Sequence, residues 1–211
     1  MLGLNRKFMM TRIRNQPAMT PPNRQRLPWL ISHVFAPTIL VTALLLSTPL
    51  RFPQVPWIQA VVATTFTTLI PWAVLGWARS TGKISDVHVT RREQRWPLLV
   101  TALISIVAGL TVLWVIDAEP VMFREVLLIL AGLLLTGSIT LIWKISIHVA
   151  VAAFVFLHAF ADTTFGPYLV VALVAGLSWA RVQLQHHTSS QVFAGAIIGA
   201  LVGLLGLLPQ F

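Results

Sequence analysis

The chain has 211 residues, 56% of them hydrophobic and only 10% charged, with a mean hydropathy of +0.81. A soluble domain carries about a quarter charged residues, so an ordinary soluble fold is excluded and the class is integral membrane protein. There is no cysteine, which removes disulfides, thiolate metal sites and cysteine nucleophiles, and the net charge of +9 is assigned to the cytoplasmic side of a membrane or to anionic headgroups rather than to nucleic acid.

Residues 1–28 are polar and basic, carrying Arg6, Lys7, Arg12, Arg14, Arg24 and Arg26 with no acid. Prolines at 17, 21, 22 and 28 oppose a stable helix, so a flexible cytoplasmic tail is expected. No apolar core begins early enough for a standard signal peptide. Residues 29–211 read as a single transmembrane domain. Apolar stretches near the length of about 20 residues needed to cross a bilayer lie at 30–48, 58–78, 98–116, 122–143, 145–162, 167–184 and 189–208. The fifth is short and carries His148 and His158. Lipid offers the backbone no hydrogen-bond partner, so each stretch must be helical. The expected fold is therefore an all-α, polytopic helical bundle of six to seven spans.

With the N-terminus in the cytoplasm, thirteen of the fifteen Lys and Arg residues fall on that side. Arg51 and Arg124 go to the other side, with Asp117, Glu119, Glu125 and Asp162. This is the distribution that the positive-inside rule asks for. Three polar clusters, at 83–97, 144–148 and 181–191, are separated by pairs of spans. They are expected to emerge on one face.

The first cluster, GKISDVHVTRREQRWP, holds Lys83, Arg91, Arg92 and Arg95 in a short loop closed by Pro97. The planar forks of arginine suit phosphate oxygens, although local Arg–Glu pairing in a positive-inside loop is the plainer reading. In the second, WKISIHVAVA, Lys144 and His148 are four apart and share a helix face. Lys144 can be read as a snorkelling cap, whereas His148 lies a turn into an apolar run, where ionisable residues are costly and usually functional. In the third, SWARVQLQHHTSSQVFAGAIIG, Arg181 ends the sixth span and His187 leads into the seventh. The start of that helix is a natural anion site. Gln191 can orient the His187 ring, or it can complete a capping box with Thr188. Gly195, Gly199 and Gly203 recur every four residues and read as a close-packing face. His33 and His158 read as interfacial residues without a role.

Two histidines among several cationic groups, without a carboxylate pair or a metal-ligand spacing, fit metal-free phosphoryl transfer. One imidazole attacks phosphorus, the other protonates the leaving oxygen, and the arginines neutralise phosphate charge.

The same residues resemble the type 2 phosphatidic acid phosphatases, relatives of the vanadium haloperoxidases, whose signatures are KxxxxxxRP, PSGH and SRxxxxxHxxxD. The third matches best: Arg181 is followed six residues on by His187 and four later by Gln191. The second survives as ISIH, with Ser146 and His148. In the first, Arg95 stands for the arginine, Pro97 falls one place late, and His88 takes the lysine position with Lys83 nearby. The resemblance covers about residues 83–205. It implies that His187 is the nucleophile and His148 the general acid, and that Arg181, Arg95 and the Ser146 region hold phosphate. Lys83, Arg91, Arg92 and Lys144 are further candidates for phosphate binding. No cofactor or metal is expected, and the partner is a membrane lipid or isoprenoid phosphate. The chain departs from the pattern in carrying Gln191 where the family has aspartate, and in placing two spans between its first and second clusters.

Other readings compete. A catalytically weak relative would bind anionic lipid through the same pocket, and Gln191 favours it. A membrane prenyltransferase needs aspartate-rich motifs to hold magnesium diphosphate, while Asp86, Asp117 and Asp162 are scattered. A transporter would be favoured by a carboxylate buried mid-membrane, and none is expected beside the prolines at 37 and 71.

Overall fold

The computed structural model describes residues 25–82 and 92–208, with the side chains of 92–95 left out. The helices are α1 (Arg26–Val34), α2 (Pro37–Arg51), α3 (Trp57–Ser80), α4 (Arg92–Val115), α5 (Pro120–Ile142), α6 (Ile147–Phe160), α7 (Gly166–Gln183) and α8 (Ser189–Gly206). Among the described residues there is no strand. The segments Arg26–Arg51, Trp57–Ser80, Trp96–Val115, Pro120–Ile142 and Ser189–Gly206 are long and apolar enough to cross a membrane. The expectation of an all-helical membrane bundle holds at that level.

Two boundaries differ from expectation. The tail was expected to run to residue 28, but α1 already begins at Arg26. Pro28 sits in its first turn, where a missing N–H is tolerated. The loop expected to run to Pro97 is helical from Arg92, so Arg92 and Arg95 stand in the opening turns of α4 rather than in a loop. Lys83 and Arg91 lie outside the described residues.

Local sequence explains the irregularities. α1 and α2 break at Phe35 and Ala36 because Pro37 opens the second helix. In α3, residues Thr65–Leu69 form a π-helical turn just before Pro71. Proline has no N–H to give back along the helix, so the Phe66 carbonyl needs another donor. Ser105 of α4 supplies it, its hydroxyl donating to Phe66 O at 2.6 Å. The close approach depends on Gly109, where a Cβ would stand 2.6 Å from that of Phe66. Both Leu184–His186 and Ile116–Ala118 close their helices with paired backbone bonds around a left-handed residue, Gln185 (φ 55°) and Asp117 (φ 51°).

α6 is the central helix. Val149, Ala150, Ala152, Ala153, Phe154, Val155 and Phe156 are all buried. A helix apolar on every side belongs inside a bundle. Its fourteen residues extend about 21 Å, short of the roughly 30 Å of a hydrocarbon core. α8 runs parallel to it in close contact. The glycine face reads as expected: a Cβ at Gly195 would stand 2.6 Å from Ser146 O, and one at Gly199 would run into the Ala150 backbone.

The outer surface is apolar, and many of its exposed aromatic residues lie near the helix ends. Trp29, Trp77, Trp96, Trp143 and Trp179 are exposed near one end of the bundle, and Trp57, Trp114, Phe165 and Tyr168 near the other. Aromatic rings favour the two membrane–water interfaces. From Trp57 to Trp77 along α3 is about 30 Å, the thickness of the hydrocarbon core.

Candidate phosphate site at the α7–α8 turn

The turn between α7 and α8 is set from both sides. α7 ends in a Schellman arrangement, with His186 N–H donating to Arg181 O at 3.2 Å and Gln185 N–H to Val182 O at 2.9 Å. α8 begins with the capping box of Thr188 and Gln191. His187 is held between these two devices.

The two readings of Gln191 turn out to be one. Its Oε1 lies 3.2 Å from the Thr188 backbone nitrogen and 3.1 Å from His187 Nδ1. A backbone N–H can only donate, so the atom facing it is the amide oxygen. That oxygen then requires His187 Nδ1 to carry a proton, which leaves Nε2 as the bare lone pair. Burial lowers the His187 pKa from the ordinary 6.5 to about 4, helped by the positive charges of Arg181 and Lys144, opposed by the hydrogen bond to Gln191, with a further lowering contribution from His186. The imidazole is therefore neutral at physiological pH, in the tautomer a nucleophile needs.

The second and third clusters meet here. Lys144 Nζ donates to His186 O at 2.9 Å, and the Ser146 backbone N–H donates to Gln191 O at 3.2 Å. Ser146 is fully buried, and its hydroxyl has no hydrogen-bond partner among the described residues. His148 follows in the first turn of α6, half buried. Arg181 is 2% exposed; its Nη1 donates to Ser32 Oγ at 2.6 Å, and its Nε has no partner among the described residues. A buried guanidinium and a buried hydroxyl each keep an uncommitted donor, and such donors suit a small anion. Among the described residues, no three His, Cys, Asp or Glu side chains gather as metal ligands.

Of the residues expected from the sequence, His187, Gln191, Arg181, Lys144 and Ser146 are linked by direct contacts or by charge, and His148 lies two positions after Ser146 in the chain. The side chains of Arg92 and Arg95 are not described, and Lys83 and Arg91 fall outside the described residues. Ser32 was missed. It is one small polar residue in an apolar helix, and its partner is 149 positions away. Only the packing of α1 on α7 brings them together.

Two expectations about the opposite end are corrected. His158 is not interfacial: its side chain is buried, and Nε2 lies 2.9 Å from Glu125 Oε1. Glu125 is 3% exposed, so a buried carboxylate is present after all, bonded also by Arg51 Nη2 at 3.2 Å. The pattern hid both, because Glu125 sits one turn into α5, where an acid reads as a membrane-surface residue.

No family model, no curated protein and no solved structure matches the chain.

Proposed function

We propose that the chain is an integral membrane phosphatase that hydrolyses a lipid or isoprenoid phosphate or diphosphate through a phosphohistidine, without a metal ion. The observation that carries this reading is the tautomer at His187: Gln191 Oε1 accepts from Thr188 N–H and from His187 Nδ1, so Nε2 is free to attack. The resemblance of ISIH and of the spacing Arg181, His187, Gln191 to the phosphatidic acid phosphatases supports it.

In the first step, Nε2 of His187 forms a bond to phosphorus as the bond to the leaving oxygen breaks. His148, protonated, gives its proton to that oxygen. In the second, His148 takes a proton from water, the water oxygen bonds to phosphorus, and the phosphorus–nitrogen bond breaks to return His187 and inorganic phosphate. Arg181 and the Ser146 hydroxyl, each with an uncommitted donor, would neutralise the charge that develops on the phosphoryl oxygens. We read the bundle as seven crossings, with the N-terminus and the site on the cytoplasmic side, as the charge distribution asks.

A second reading is favoured by one residue. Gln191 is neutral and orients the ring without stabilising an imidazolium by charge, which suits a relative that binds anionic lipid and turns over slowly or not at all.

The deciding experiment measures phosphate release from phosphatidate and from isoprenoid mono- and diphosphates by the purified protein in excess chelator. Release is expected, and His187→Ala lowers it by at least about 10³-fold. Release that requires added magnesium sinks the metal-free mechanism. Binding of these lipids by a folded protein without release selects the second reading.

A further inference from the structure

A cavity of about 170 Å³ lies inside the bundle, bounded by every helix except α1 and α7. Its lining begins at Ile147, between Ser146 and His148, and reaches Phe154 and Val202. From Ile147 to Phe154 along α6 is two turns, about 10 Å. The lining of the cavity thus begins next in sequence to Ser146 and His148 and extends along one face of α6.

Four threonines line it, Thr38, Thr67, Thr68 and Thr136, and the last three have their hydroxyls engaged. Thr67 Oγ1 donates to Ala63 O at 2.7 Å, Thr68 Oγ1 to Thr64 O at 2.8 Å, and Thr136 Oγ1 to Gly132 O at 2.6 Å. Their donors are committed to their own helices. An apolar cavity of this kind does not hold water and accepts a hydrocarbon. Thr67 and Thr68 belong to the π turn of α3, a break in helical register of the sort that recurs at functional sites.

We propose that this cavity is the slot for a single linear hydrocarbon chain, isoprenyl or acyl, borne by the phosphate that His187 attacks. One end of the slot is lined by Ile147, the residue between Ser146 and His148, its lining is mostly apolar, and it is bounded by six helices of the bundle. The proposal rests on the phosphatase reading for the identity of the head group, and on the cavity alone for the chain.

Gly132 gives access to a test. It lines the slot, and a Cβ there would meet only Val202 Cγ1, at 3.9 Å, an ordinary contact. Gly132→Leu therefore fills the slot without displacing backbone, and Gly132→Ala is the control. Hydrolysis of isopentenyl, geranyl and farnesyl monophosphate is compared in the intact protein. The wild type and Gly132→Ala are expected to favour farnesyl over isopentenyl phosphate by about tenfold or more in kcat/KM, since each buried methylene adds to binding. Gly132→Leu brings the ratio close to one by lowering kcat/KM for farnesyl phosphate. A ratio unchanged by Gly132→Leu, or a wild type indifferent to chain length, overturns the slot.

A second readout separates this outcome from failure of the phosphatase reading. A farnesyl monophosphate analogue carrying a terminal diazirine is photolysed with the protein in bilayer discs. Labelling of α5 and α6 residues around Phe154, lost in Gly132→Leu, supports the slot even in a protein that releases no phosphate. Labelling confined to outward-facing residues overturns it. Equal labelling of the slot by the phosphate-free diazirine alkane, with no competition from farnesyl phosphate, also overturns it, because the occupant is then a bilayer chain and not the substrate's.

Discussion

Gln191 Oε1 ties a helix start to a histidine tautomer through one atom. The capping box is readable from the four letters TSSQ, because cap and box residues lie three apart whatever the rest of the fold does. The titration of His187 follows from that site. Its pKa is lowered to about 4, so the neutral imidazole persists well below the ordinary 6.5. The acid limb of kcat/KM assigned to the nucleophile is expected near pH 4, and histidine NMR titration checks it directly. The sign for stability is also set. Between pH 6.5 and 4 the unfolded chain takes up a proton at His187 that the native state refuses, so stability falls as pH drops through that window and levels off below it. Gln191→Asp adds a negative charge beside the ring and raises the His187 pKa; a midpoint that stays near 4 in this variant refutes the electrostatic account. Ser32 makes a second residue-scale case. Ser32→Ala leaves a buried guanidinium N–H without its acceptor, a loss of about 1–3 kcal/mol in thermal unfolding. Ser32→Thr keeps the hydroxyl and is expected to retain most of it. No feature of positions 30–34 signals this bond, since its partner arrives from the far end of the chain.

Helices α6 and α8 pack through glycine because backbone meets backbone. The four-residue spacing of Gly195, Gly199 and Gly203 marks the face, and the structure supplies its target, Ser146 to Leu157 on α6. Position decides what a methyl group does there. Gly199→Ala forces its Cβ into the Ala150 carbonyl and is expected to destabilise by about 1–3 kcal/mol or more. Gly176→Ala, in α7 with nothing within 4 Å of its Cβ, is neutral or gains up to about 1 kcal/mol of helix propensity. Thermal unfolding of the two variants in one detergent compares them; equal losses would refute the packing argument. The π turn of α3 was not readable. Pro71 announces an interruption, but whether a helix kinks, breaks or widens depends on the donor opposite, and that donor is Ser105 of α4.

The whole bundle has a polar anchor at each end. At one end Lys144, Ser146, Arg181 and Gln191 join α1, α5, α6, α7 and α8 around the candidate site. At the other, Glu125 ties α2 and α6 to α5 through Arg51 and His158, while Arg124 Nη2 donates to Gly206 O at 2.6 Å and Leu208 O at 2.5 Å, partnering carbonyls that α8 leaves open. The two members of the ion pair are not equivalent. The Arg51 side chain is 31% exposed and that of Glu125 is 4%. Arg51→Met takes one of two partners from a buried carboxylate, leaving it with His158, and is expected to cost about 1–3 kcal/mol. Glu125→Gln leaves an arginine that can turn toward solvent and an amide that still meets His158, so its loss should be less than half as large. Denaturation of both variants checks the order, and the reverse order would show that Arg51 is the more deeply committed partner.

Membrane class, helical fold and the capping box at Thr188–Gln191 were determined by the sequence alone. Each rests on properties that are local: apolar length, helix caps, glycine spacing and the cost of bare backbone in lipid. Only the tertiary structure decided that Ser146 meets Gln191, that Ser32 holds Arg181, that Glu125 is buried, and that a cavity lies among six helices of the bundle. These depend on which faces of distant helices come together. An apolar helix offers lipid and protein nearly the same surface, so its own pattern does not tell one side from the other.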